Sequence, residues 1–182
     1  MSHTKKREFI LVALALASLI VVGTAATQSF AQNEKYRAKL DGGNEVPPVN
    51  TTADGVINFK SQASSMSWKM NITGITDATG AHIHKGRNGT NGNVVVDLLK
   101  LSKHSNSPQG MVMRGNITDS SLTGPMKGQT VKDLQTAMAN GDTYVNVHTK
   151  DHPNGEIRGQ INLKGEGAVS TSNVTTSANS TS

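Results

Sequence analysis

Three histidines dominate the chemistry available to this chain. His82 and His84 sit two apart in Ala81-His82-Ile83-His84, and His148 ends Tyr144-Val145-Asn146-Val147-His148-Thr149. On a β-strand, residues i and i+2 leave the same face, so His82 and His84 stand side by side while Ile83 points away. In the second segment Val145 and Val147 share one face, and Asn146 and His148 share the other. If the two strands meet, three imidazoles converge on a polar spot backed by an apolar core. Three imidazoles with an open position suit copper or zinc, a fourth ligand coming from water, a carboxylate or another histidine. Glu45, His104, His152 and Glu156 are the candidates for that ligand, or for groups that orient the ring nitrogens.

Other residues read as structural. In Glu156-Ile157-Arg158 an inward Ile between two outward charges is ordinary strand alternation. His104 and His152 lie beside Asn, Ser and Pro in loop-like sequence and read as solvated. Met66, Met70, Met111 and Met113 fall at strand spacing and read as core. There is no serine-nucleophile motif, phosphate-cradling glycine loop or paired-carboxylate cleft.

The elements that must position these residues are short. Tyr36–Leu40, Gly55–Lys60 and Met66–Ile72 alternate with period two, the last placing Met66, Trp68, Met70 and Ile72 on one face. The last two read as a hairpin. Glu45-Val46-Pro47-Pro48-Val49 reads as an extended piece at a sheet edge, because proline cannot donate to a ladder. Residues 85–93, rich in Gly and Asn, read as an irregular loop. Val94 to Leu99 reads as one buried strand, residues 102–109 as a second loop, and Met111–Ile117 as strand. Thr130 caps a single helix, with Asp133 in a capping-box position, Val131, Leu134 and Met138 on one stripe and Asn140-Gly141 as the stop. Residues 143–148 and 156–163 close the domain as two strands. The pattern predicts an all-β fold, an antiparallel Greek-key-like sandwich or barrel of roughly seven or eight short strands with one short helix.

Around this domain, residues 1–31 read as a secretory signal peptide: Lys5, Lys6 and Arg7, an apolar run from Phe9 to Val22, and a small-x-small exit at Ser29-Phe30-Ala31. An uncleaved leader acting as a membrane span is the alternative. Either way the domain, residues 32–164, is expected outside the cytoplasm, secreted or at the cell surface. Residues 165–182, rich in Ser, Thr, Asn and Gly, read as a disordered tail. Six Asn-x-Ser/Thr sequons, at Asn50, Asn71, Asn88, Asn116, Asn173 and Asn179, are possible glycan acceptors in an exported chain. Removing the leader takes Lys5, Lys6 and Arg7 from 18 basic residues and Glu8 from 13 acidic ones, leaving 15 against 12. That balance is too mild and too dispersed along the chain to argue for nucleic acid. With no cysteine, the domain is held by its own aliphatic core.

Several blocks carry a resemblance. Leu40-Asp41-Gly42-Gly43-Asn44-Glu45-Val46-Pro47-Pro48, the His82/His84 pair with its Gly/Asn loop and Val-Val-Val strand, the segment from Leu122 to Gly141, and Tyr144–Thr149 through Gly155-Glu156-Ile157-Arg158-Gly159-Gln160 resemble, in order, the CHRD domain named for chordin. The resemblance spans roughly residues 35–163 and implies an extracytoplasmic β-rich domain. It implies little about activity: animal members sit in proteins that bind growth factors, and microbial members mostly lack an assigned role. The His-x-His strand is also similar to that of copper-zinc superoxide dismutases, but their disulfide cysteines and zinc loop are missing here.

Three functions follow as expectations. The first is binding of a transition metal, copper or zinc, at His82, His84 and His148. The second is a surface module for an extracellular protein or glycan, and the third a copper-dependent redox enzyme.

Overall fold

The computed structural model describes residues 34–164. The leader and tail expectations lie outside those residues. The chain forms β1 (Lys35–Asp41), β2 (Asp54–Ser61), β3 (Ser65–Thr73), β4 (Gly80–Lys85), β5 (Val94–Asp97), α1 (Leu98–Leu101), β6 (Lys103–Ser107), β7 (Gly110–Thr118), α2 (Val131–Ala139), β8 (Thr143–His148), β9 (Ile157–Gln160) and β10 (Asn162–Leu163). All strands join one antiparallel sheet in the order β5-β4-β8-β9-β1-β2-β3-β7-β6, with β10 pairing β1. The sheet curls into a half-barrel, so the all-β class holds, and among the described residues α2 is the one helix longer than a single turn.

Period-two alternation builds the core. Met66, Trp68, Met70 and Ile72 of β3 are buried with Ile57 and Phe59 of β2 and Met111, Met113 and Ile117 of β7. On the other arm Ala81, Ile83, Val145, Val147 and Ile157 are buried in the same cluster, joined by Val131, Leu134 and Met138 of α2. Thr130 and Asp133 make the expected reciprocal capping box, and Gly141 at φ 68° ends the helix segment.

The same alternation fixes which way the histidines face. A one-residue slip of β4 would expose Ile83 and press both imidazoles into the core. Exposing one such aliphatic side chain alone costs about 1.5–3 kcal/mol.

Four local readings are corrected. Residues 103–107 are an edge strand, not a loop; every side chain of β6 is exposed, so no apolar alternation marked it. Val94 to Leu99 is not one strand, because Asp97 Oδ1 accepts the Lys100 amide and starts α1. Glu45 to Val49 takes no part in the sheet; Gly42 O accepts the amides of Glu45 and Val49 and folds the segment back. Among the described residues there are ten strands rather than seven or eight, because β6 carries no hydrophobic pattern and the single strand expected over 156–163 divides into β9 and β10.

Candidate metal centre

β4 and β8 pair with Gly80 opposite His148, His82 opposite Asn146 and His84 opposite Tyr144. This register sets the three histidines on one face, backed by Ala81, Ile83, Val145 and Val147 on the other. The ladder between β4 and β5 shifts between Ile83 and His84, so Val95 and Val96 are both buried. Such a bulge twists the strand locally and re-aims the side chains beside it.

The ligand-competent atoms of His82, His84 and His148 all lie within 4.8 Å of one another, and among the described residues no other trio of His, Cys, Asp or Glu does so. Nδ1 of His82 is 3.1 Å from Nε2 of His148. Ring centroids are 4.9 Å apart for His82 and His148, 5.7 Å for His82 and His84 and 6.1 Å for His84 and His148. Gly80 makes this approach possible. A Cβ there would stand 2.9 Å from Cε1 of His82 and 3.2 Å from Cδ2 of His148.

Backbone carbonyls set the tautomers. Nδ1 of His84 lies 2.8 Å from Gly92 O, and Nδ1 of His148 lies 3.0 Å from Pro153 O. A carbonyl only accepts, so both Nδ1 atoms carry the proton and both Nε2 atoms keep a lone pair. Nε2 of His148 therefore accepts from Nδ1–H of His82. Nε2 of His84 is buried and has no hydrogen-bond partner. Burial holds all three rings below the usual imidazole pKa, His84 to about 4, with neighbouring histidines pushing His84 and His148 the same way. The cluster is thus neutral at pH 7, as metal ligation requires.

The loop over residues 85–93 covers His84. Gly92 N donates to Tyr144 Oη at 3.1 Å, and a Cβ on Gly92 would overlap the Lys85 carbonyl, so only glycine closes this turn. Tyr144 on β8 stands between His84 on β4 and Arg158 on β9. Its ring is stacked on His84 at 4.8 Å and 9°, and the Arg158 guanidinium carbon lies 3.5 Å from its centroid.

Arg158 is 1 % exposed, which corrects the reading of an outward charge. Its guanidinium donates to Asn91 Oδ1, Thr90 O and Arg87 O, so the polar loop, rather than water, solvates it. No periodicity marks this in the sequence: an arginine two residues past a loop-facing carboxylate is buried only because the Gly/Asn loop folds over it.

The remaining candidates do not join the trio. Glu45 is 5 % exposed, accepts from Nδ2 of Asn146 at 3.1 Å, and has its pKa pushed up to about 7 by burial, against the opposing influence of Arg158. Glu156 is held by the hydroxyls of Thr51 and Thr149. His104 is exposed on β6, beside the Ser102 hydroxyl. His152 lies half-buried in the turn after β8, its carbonyl accepting the amides of Thr149 and Gly155. Tyr144 and Arg158 join the site without having been singled out by the sequence pattern, and Asn146, on the His148 face as expected, binds Glu45. The usable signal was that Tyr144, Asn146 and His148 share one strand face.

A tetrahedral zinc ion with bonds of about 2.0–2.1 Å spaces its nitrogens about 3.3 Å apart. The His82–His148 pair, at 3.1 Å, is already near that separation, and a ligand atom of His84 lies within 4.8 Å of both. The donor set fits a borderline transition metal and offers no carboxylate for a hard cation.

The family model described as CHRD domain matches residues 36–161. No curated protein and no solved structure matches the chain.

Proposed function

The chain belongs to the CHRD-domain family, and from that premise we propose that it is an exported binding domain that takes a transition metal ion, copper or zinc, at His82, His84 and His148. The observation that carries this reading is Nε2 of His84, buried without a partner in a ring that lies beside two other neutral imidazoles. An unpaired buried nitrogen costs about 1–3 kcal/mol in a purely structural role. A metal ion supplies the missing electron-pair acceptor.

The protein's own residues do the rest. The Gly92 and Pro153 carbonyls hold Nδ1–H of His84 and His148 and fix both rings. Tyr144 stacks against His84, and Arg158 ties down the covering loop, limiting access of water. With the cluster neutral, His82 would serve as a ligand through Nε2 as it stands, or through Nδ1 once the proton it shares with His148 had moved to Nε2, with no net proton released. Storage, delivery or structural support of the ion are the roles this reading favours. The leader-type sequence supports a location outside the cytoplasm.

The test is calorimetric titration of residues 32–182 with copper(II) and zinc(II), with metal analysis of the purified protein. A His82→Ala/His84→Ala/His148→Ala variant serves as the comparison. Equimolar binding that disappears in the variant supports the proposal. Absence of binding by the intact domain overturns it.

A further inference from the structure

The cations of this domain are scattered along the sequence but gathered in space. A groove of about 850 Å³ on the arm of the sheet away from the histidines is lined by Lys35, Lys60, Lys69, Lys103, Arg114 and Lys164, with no Asp or Glu. All six are exposed. Strand register places like charges directly opposite one another: Lys35 faces Lys60, Lys69 faces Arg114, and Arg114 faces Lys103. Arg37 lies in the same row, separated from Lys69 by Asn58. Directly opposed like charges destabilise a sheet. Among the described residues no carboxylate relieves them, since the one ion pair is Arg87–Asp142. A row that works against folding is explained by what it binds.

We propose that this face binds an anionic polysaccharide. Three observations narrow the partner to that class. The groove interleaves its cations with Asn58, Ser67 and Asn116, neutral groups that both donate and accept hydrogen bonds as sugar hydroxyls do. The aromatic side chains beneath it, Tyr36, Phe59 and Trp68, are each at most 3 % exposed, so bases have no stacking platform. Among the described residues Val112 is the one exposed large hydrophobic side chain, so this face offers neither an aromatic anchor for a protein interface nor an apolar wedge for a bilayer. The strands stand about 4.8 Å apart, so the row from Arg37 to Lys103 presents four cations over about 20 Å, a span suited to a linear polymer.

The probe is polygalacturonate, with neutral dextran, polyuridylate and anionic phospholipid vesicles as comparisons. Binding is measured by calorimetry and co-sedimentation. Two variants test the face: Lys69→Gln/Lys103→Gln/Arg114→Gln, and Lys127→Gln/Lys132→Gln/Lys150→Gln, which removes the same charge from exposed positions elsewhere. Polygalacturonate is expected to bind and to weaken tenfold or more between about 50 and 200 mM salt. The first variant is expected to lose at least tenfold in affinity while melting no lower than wild type, because it relieves repulsion. The second is expected to bind as wild type does. Equal losses in both variants, or tighter binding of polyuridylate or vesicles than of polygalacturonate, overturn the proposal. So does failure of polygalacturonate to bind. Both variants retain His82, His84 and His148, so metal titration of each reports separately on the histidine site.

Discussion

Substituting Gly80 by alanine perturbs the histidine cluster without touching a ligand. Gly80 lies opposite His148 and on the same strand face as His82, at a backbone angle open to any residue. The added Cβ would stand 2.9 Å from Cε1 of His82 and 3.2 Å from Cδ2 of His148. Carbon atoms in ordinary contact sit at about 3.5–4.0 Å, so the His82 ring must retreat by at least about 0.6 Å. Binding constellations tolerate about 0.5 Å. Disturbing the groups that orient metal ligands costs typically about 10–100-fold in affinity, or about 1.4–2.8 kcal/mol. Fold stability changes far less, because alanine in a strand interior gains about 0.5–1 kcal/mol over glycine and offsets the crowding. Titration with zinc(II) or copper(II), beside a urea unfolding curve of the metal-free variant, separates the two effects. Wild-type affinity in Gly80→Ala would refute the convergence of these rings on one ion.

Three further outcomes follow from the buried polar layer. Unfolded imidazole protonates near pH 6.5, whereas buried His84 resists until about 4. Its contribution to stability is therefore complete above pH 6.5 and lost as the pH falls through 4, to a total of at most about 3 kcal/mol. Urea midpoints of the metal-free domain should fall across that window, and a His84→Ala variant should show a flatter profile. Glu45 has the opposite sign: its pKa rises from 4.5 to about 7, so its contribution is present below pH 4.5 and lost as the pH rises through 7. Glu45→Gln keeps an acceptor for Asn146 and should gain up to about 3 kcal/mol on wild type well above pH 7; a loss there would mean the carboxylate is ionised and paired with Arg158. Arg158→Ala strips the donors from Asn91, Thr90 and Arg87 and should cost about 3 kcal/mol, with faster hydrogen exchange in residues 85–93. An unchanged unfolding midpoint would contradict the clamping role of Arg158.

Much of this architecture was legible because burial imposes a period. Alternation placed β1, β2, β3 and β7, and the Thr130–Asp133 box placed α2. The faces of His82, His84 and His148 followed from Ile83, Val145 and Val147 needing the core. What stayed hidden lacks such a signature. The edge strand β6 buries nothing, and Asp97 cuts a strand short by capping α1 through a single side-chain hydrogen bond. Arg158 is buried by polar loop carbonyls, which no hydrophobic pattern encodes. Glu45 was drawn to the histidines by its charge, yet it pairs with Asn146, one register step away. Cross-strand neighbours such as Lys69 and Arg114 are 45 residues apart in sequence, so the basic row emerges only once the register is known.

Long-range ¹H–¹⁵N correlation spectra of the imidazoles, recorded before and after an equimolar addition of zinc(II), test the metal reading at the level of single atoms. The geometry predicts that Nε2 of His84 and of His148 shift to the metal-bound range while both Nδ1 atoms keep their protons, held by Gly92 and Pro153. Unchanged ¹⁵N shifts in all three rings would contradict the account.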